Sequence, residues 1–265
     1  MKKIFYLLVL SLFIISVISC TDKQKKSAEF KTENNICLEP DETETLTFDE
    51  IQKLLKSNAI AHNYHWWPDS RGSEDGMLVL DRTADMEWIK QNLSPAFKYV
   101  TSIQLENNDF SLIPLMENCT SVQVYNDESS VAQKLDILIF PKTYNSLTFY
   151  NCDVQNLSSI KDFTELIMLN TDCETEELLK TTSLSLEYLT IRTTDNFDFS
   201  VLNNFPNLKR ITIERSLGFS NIEKIEKNNI QVIYIRDENE YLEYKTEFDE
   251  LSEKYPDIKI WHGAE

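Results

Sequence analysis

Glycine is nearly missing from this chain of 265 residues, which holds only four. Loops that cradle phosphate need glycine for close backbone approach, and neither a glycine-rich nucleotide loop nor a Gly-x-Ser-x-Gly elbow is present. Histidine is scarcer still, occurring at His62, His65 and His262. His62 and His65 could offer two imidazoles to a metal beside Asp69, Glu74 or Asp75, but no third ligand stands in a defined register. The adjoining Trp66-Trp67-Pro68 could stack on a sugar; the simpler expectation is a loop packing its tryptophans over one end of the fold. Positive charge is short too: 26 Lys and Arg stand against 44 Asp and Glu, a formal net charge of -18. Such a surface repels nucleic acid and anionic lipid, and it favours solubility and basic partners. With so many carboxylates, close acidic pairs are inevitable and single out no acid–base couple. No catalytic residue, metal ligand or cofactor is assigned, and the chain reads as a non-enzyme.

What is present begins with the leader. Lys2 and Lys3 precede an apolar run from Ile4 to Ile15, interrupted only by Ser11, and Val17-Ile18-Ser19-Cys20 closes it. A membrane-spanning helix needs about 20 apolar residues, so this run is short for one. The ending resembles the lipobox of bacterial lipoproteins, two aliphatic residues and a small one directly before cysteine. The resemblance implies a signal peptide over residues 1–19, a diacylglycerol on the Cys20 sulfur and a stable membrane anchor. Thr21 is not the aspartate that retains some such proteins at the inner membrane, and the outer membrane is the favoured location. Residues 20–46 are polar and charged, and read as a tether.

Farther along, a short phrase recurs: apolar, two variable residues, apolar, one variable residue, apolar. Its copies are Val100/Ile103/Leu105, Cys119/Val122/Val124, Tyr144/Leu147/Phe149, Phe163/Leu166/Met168, Leu186/Leu189/Ile191, Leu208/Ile211/Ile213, Ile230/Ile233/Ile235 and Tyr255/Ile258/Ile260. Each apolar pair straddling one residue has the alternation of a short strand. The connections are too long for hairpins and suit crossovers between parallel strands. They supply their own apolar residues for an opposite wall: Leu112 and Leu115, Leu157 and Ile160, Leu178 and Leu179, Val201 and Phe205, Ile222 and Ile225. The four remaining cysteines are expected to be free or only partly paired, Cys119 and Cys152 as small buried thiols of this skeleton.

The phrase resembles the leucine-rich-repeat consensus L-x-x-L-x-L-x-x-N/C-x-L. The N/C position is taken by Asn108, Asp127, Cys152, Thr171, Thr194, Ser216 and Glu238, of which Asp127 and Glu238 depart from the pattern. The resemblance implies an α/β solenoid over 99–265, with parallel strands on a concave face that binds partners. Helical caps are expected at both ends. Residues 47–98 would open with a capping box at Thr47-Phe48-Asp49-Glu50, continue through a strand at Met77–Leu80 and add a helix capped by Thr83. Tyr241, Tyr244, Phe248, Leu251 and Tyr255 would form the C-terminal helix. A small doubly wound sheet is the alternative.

On that face the outward positions carry Tyr125, Tyr150, Ile167, Leu169 and Tyr188 as an apolar and aromatic cluster, with Tyr234 and Trp261 farther along. Arg192, Arg210, Arg215 and Arg236 gather in the C-terminal half. Tyrosine and arginine are enriched at interaction hot spots. The expected partner-binding set is therefore Tyr125, Tyr150, Ile167, Leu169, Tyr188, Arg192, Arg210, Tyr234 and Arg236. The partner is expected to be a protein, a basic one suiting the acidic charge, and not nucleic acid. A structural envelope lipoprotein and an immunity-type protein that neutralises a toxin are the other readings.

Overall fold

Inward-facing apolar pairs set one residue apart give this chain its strands. In chain order these are β1 (Tyr64–Pro68), β2 (Gly76–Leu80), β3 (Val100–Leu105), β4 (Ser121–Tyr125), β5 (Gln133–Asp136), β6 (Ser146–Tyr150) and β7 (Cys152–Gln155). They continue with β8 (Met168–Asp172), β9 (Tyr188–Arg192), β10 (Asn196–Asp198), β11 (Arg210–Arg215), β12 (Gly218–Ser220), β13 (Val232–Ile235) and β14 (Lys259–His262). The computed structural model describes residues 48–68, 76–106, 109–127, 132–226 and 229–263. They belong to one unit, Leu46–Glu265. The leader, Cys20, the tether, Thr47 and Asn108 lie outside the described residues.

Ten strands form one sheet in the order β1-β2-β3-β4-β6-β8-β9-β11-β13-β14. Only β1 and β2 pair antiparallel; every other neighbour in this sheet is parallel. Strand order follows chain order, without the reversal of a doubly wound sheet. Two small parallel pairs, β5 with β7 and β10 with β12, lie outside it. Helices are few among the described residues: α1 (Phe48–Ser57), α2 (Met86–Asn92), α3 (Thr175–Leu179), α4 (Glu238–Glu243) and α5 (Lys245–Lys254), with short 3-10 turns elsewhere. The molecule is thus mixed α/β with a long, mostly parallel sheet.

The core runs along one face of this sheet. Ile103, Val122, Leu147, Leu169, Leu189, Ile211 and Ile233 are all buried and stand opposite one another across successive strands. The connections close the core from the far side with Leu112, Ile113, Leu157, Ile160, Leu178, Val201, Phe205, Ile222 and Ile225. Leu115 and Leu179, expected in that wall, are exposed instead; in each short turn only one face meets the core, and Ile113 and Leu178 occupy it.

The fourth repeat corrects the expected register. Leu169 pairs with Leu147 and Leu189 and is fully buried, while Met168 points outward at 43% exposure. The inward triplet is Leu166, Leu169 and Thr171, three residues later than apolar character suggests. Its third member is a threonine, buried with its hydroxyl donating to the Asp172 carbonyl at 3.1 Å. Burial of a satisfied hydroxyl costs little, so polarity concealed the position. The last strand is also displaced: Ile260, not Ile258, stands opposite Ile233. That shift is two residues and leaves every side chain on its expected face.

The segment around Trp66 is a strand rather than a loop. Alternation buries Tyr64 and Trp66 and exposes His65 and Trp67. Trp66 Nε1 donates to Gln52 Oε1 of α1 at 2.9 Å. Glycine is required at position 76, where a Cβ would lie 2.6 Å from the Trp66 ring. Helix α2 is capped by Asp85, which accepts from Trp88 N at 3.1 Å, and not by Thr83. The expected helix at 241–255 divides at Tyr244, yet Tyr241, Phe248 and Leu251 are buried as its spacing required.

Candidate functional site

The side chains that alternate with the buried ladder line the opposite face of the sheet. In β3, β4 and β6 they are Ser102, Gln104, Ser121, Gln123, Tyr125, Ser146, Thr148 and Tyr150. From β8 onward they are Met168, Asn170 and Asp172; Tyr188, Thr190 and Arg192; Arg210, Thr212 and Glu214; Val232 and Tyr234; then Lys259 and Trp261. Arg236 follows β13 directly.

Two clusters form on this face. In the first, Tyr125 and Tyr150 stack with ring centroids 4.4 Å apart. Arg192 lies over the Tyr150 ring at 4.2 Å. Its Nε donates to Asp172 Oδ1 at 2.5 Å, one terminal nitrogen to Glu214 Oε2 at 2.7 Å and the other to the Phe149 carbonyl at 2.7 Å. Asp172 Oδ2 in turn accepts from the Asn151 and Cys152 amides. Every face of Arg192 is thus committed to the protein, and only 16% of its side chain is exposed. Placed here as a partner-binding residue by sequence, Arg192 instead ties β6, β8, β9 and β11 together.

Burial, reinforced by the neighbouring Tyr150 phenol, pushes the Tyr125 hydroxyl up to about 12 from an ordinary 10. The fold therefore favours the neutral phenol. Its contribution to stability is whole below about pH 10 and is lost as pH rises through about 12. In an absorbance titration of phenolate, Tyr125→Phe should delete a phenol from the late part of the curve and leave the early part unchanged.

The second cluster surrounds a groove of about 510 Å³ lined by Met168, Tyr188, Thr190, Arg210, Thr212, Glu214, Tyr234 and Arg236, with Leu189 beneath. Tyr188 is 38% exposed, and Trp261, opposite Tyr234 on the neighbouring β14, is 44% exposed. The Arg210 guanidinium stands 5.5 Å from the Tyr234 ring and 5.9 Å from that of Trp261, with Nε donating to Thr212 Oγ1 at 3.2 Å. Tyr234 is itself buried, its hydroxyl donating to the Gly263 carbonyl at 2.5 Å. Arg236 reaches Glu214 at 3.7 Å but remains 64% exposed.

Of the nine expected contact residues, the groove gathers Tyr188, Arg210, Tyr234 and Arg236. Tyr125, Tyr150 and Arg192 form the adjacent cluster. Ile167 is exposed but precedes β8. Leu169 is withdrawn from the set because it belongs to the core. Met168 and Glu214 were missed; the first is visible only once the fourth register is known. Polar links also join neighbouring connections. Asn118, Asn207 and Asn229 make them, each donating its side-chain amide to a backbone carbonyl (of Lys98, Leu184 and Pro206). Each stands three residues before a strand, a spacing that could have revealed it.

A second cavity, of about 620 Å³, has Asn203, Lys254 and Tyr255 donating to the Lys224, Glu223 and Ile225 carbonyls. His62 stacks on Trp88 at 3.7 Å and meets Asp85 at 3.1 Å, while His65 faces Asp81 at 3.5 Å. Among the described residues no group of three His, Cys, Asp or Glu side chains could hold a metal. Cys119, Cys152 and Cys173 are free thiols, and burial pushes all three up, Cys152 to about 12. They stay protonated near neutrality and are poor nucleophiles there. Among the described residues no helix is long and apolar enough to cross a membrane. Neither protein-family models nor curated proteins yield a match to this chain.

Proposed function

We propose that this chain is a non-catalytic binding module of the bacterial cell envelope, held by lipid on Cys20, that takes a protein partner on the outward face of its long sheet. The strand ladder is read as a leucine-rich-repeat-like solenoid, with that face as the concave side. Supporting this are the in-order parallel pairings from β2 to β14 and the short return segments packed behind them. The carrying observation for function is the groove between β8 and β13, where Met168 and Tyr188 are exposed beside Arg210 and Arg236, with Trp261 exposed on the neighbouring β14. Large apolar and aromatic groups on a sheet face lose favourable burial unless something covers them, and tyrosine with arginine is the composition of interface hot spots.

The test is affinity capture with the detergent-solubilised chain, followed by titration of the retained protein. Tyr188→Ala should cost about 1–3 kcal/mol of affinity with an almost unchanged melting temperature. Lys161→Ala, on an exposed return segment, should leave both unaltered. Full capture by the Tyr188 variant would remove this face as the binding surface.

The anchor is tested separately. Cys20→Ala should abolish incorporation of a clickable fatty acid and release the chain from membranes. Labelling equal to that of the parent chain would disprove lipid attachment at this cysteine.

A further inference from the structure

The two edges of the ten-stranded sheet are finished differently. Successive residues of a strand direct their backbone groups to opposite sides, both groups of one residue to the same side. The Asn63 carbonyl, just before β1, accepts from the Asp81 amide, just after β2, at 3.2 Å. Tyr64, Trp66 and Pro68 therefore turn their backbone groups to the open side of β1. That side is blunted: the Tyr64 N–H donates to the Ala59 carbonyl at 3.1 Å, and Pro68 has no N–H to offer.

The edge at β14 has neither device. The Lys259 and Gly263 amides donate to the Gln231 and Ile235 carbonyls at 2.8 and 3.2 Å, which turns residues 259, 261 and 263 toward β13. Ile260 and His262 direct their N–H and C=O groups the other way, and among the described residues nothing bonds to those four groups. Beside them Trp261 is 44% exposed on the outward face. Charge is also unusual here. Residues 258–263 contain no carboxylate, although the chain holds 44 Asp and Glu, and Lys259 and His262 lie along the edge. A surface so acidic opposes self-association in general, and this edge is a place where that repulsion is locally absent.

Two such edges complement each other. With Trp261 on a two-fold axis, Ile260 of each copy stands opposite His262 of the other, and each pair exchanges two backbone hydrogen bonds. Trp261 then meets its own counterpart at the close, non-hydrogen-bonded position, with both indoles on the outward face, where aromatic cross-strand pairs are stabilising. Lys259 falls opposite Gly263, so like charges do not meet. We propose that β14 pairs antiparallel with β14 of a second copy of this chain, joining two ten-stranded sheets into one. The dimer does not depend on what the groove binds.

The test uses the full-length chain in detergent. Sedimentation should show a dimer for the parent and a folded monomer for His262→Pro, which removes an edge N–H and leaves the bonds to β13 in place. Trp261→Asp, which sets two carboxylates opposite each other, should also separate the copies. In a Cys37→Ser background with oxidised glutathione, Trp261→Cys should form a disulfide-linked dimer, because its two copies stand about 4.5 Å apart between Cα atoms. Lys259→Cys should not, since its copies lie four residues out of register, about 13 Å apart. A parent chain that sediments as a monomer would overturn the proposal. So would a dimer that survives both His262→Pro and Trp261→Asp, or one that links through Lys259→Cys as readily as through Trp261→Cys.

Discussion

Leu169→Ala is expected to lower stability by about 2–5 kcal/mol, the cost of emptying a fully buried leucine site. Met168→Ala, one residue earlier, should cost under about 1 kcal/mol because that side chain faces the groove. Denaturant unfolding of the two variants measures the register of β8 directly. Leu169 stands between Leu147 and Leu189 in the buried ladder, so its cavity would be walled by strands on both sides that cannot collapse into it. Reversed magnitudes, with Met168 the costly position, would mean that the apolar triplet Phe163/Leu166/Met168 is the true one and that β8 is turned over. Similar small losses from both would indicate a frayed strand. Partner capture supplies a second readout: Met168→Ala should weaken it, and a folded Leu169 variant should not.

Arg192→Met is the second large effect. It removes a cation from between Asp172 and Glu214 and strands two partly buried carboxylates and the Phe149 carbonyl. Leaving such groups without their partner should cost about 2–4 kcal/mol. Arg236→Ala removes an exposed ion pair to the same Glu214 and should cost well under about 1 kcal/mol. In a double-mutant cycle, Asp172→Asn should recover part of the loss from Arg192→Met, since it removes one of the stranded charges. Strict additivity would show that Arg192 and Asp172 do not act as a pair. Equal costs at Arg192 and Arg236 would place both arginines on the open surface, and Arg192 would return to the set of contact residues.

Much of the strand ladder was legible because burial imposes a period. Seven of the eight recurring phrases place their apolar pairs on the buried face; in the fourth, Met168 faces outward and the inward pair is Leu169 and Thr171. A hydroxyl that hydrogen-bonds locally is as compatible with burial as with solvent, so a polarity pattern cannot separate the two cases. The Trp66 segment was misread for a related reason. His65 and Trp67 alternate with Tyr64 and Trp66, but two adjacent tryptophans obscure a period of two; only pairing to β2 and the Gln52 contact establish the strand. At the candidate site, aromatic and basic enrichment was visible in composition, whereas the division of labour was not. Arg192 and Arg210 occupy neighbouring strands of one face. One is consumed by Asp172 and Glu214, the other set against Tyr234 and Trp261.

The sequence by itself determined the repeating inward pairs, the long connections that make their strands parallel, and the residue types left on the other face. Those follow from hydrophobic spacing, which acts within a few residues and can be read from them. Tertiary structure alone decided which strand positions stand side by side, and hence that Met168 rather than Leu169 faces outward. It also decided that Arg192 is a tie between strands and that Tyr188, Arg210, Tyr234 and Arg236 enclose one groove. Contacts between side chains twenty or more residues apart depend on register across the sheet. A displacement of one residue exchanges the two faces, so no local pattern specifies them.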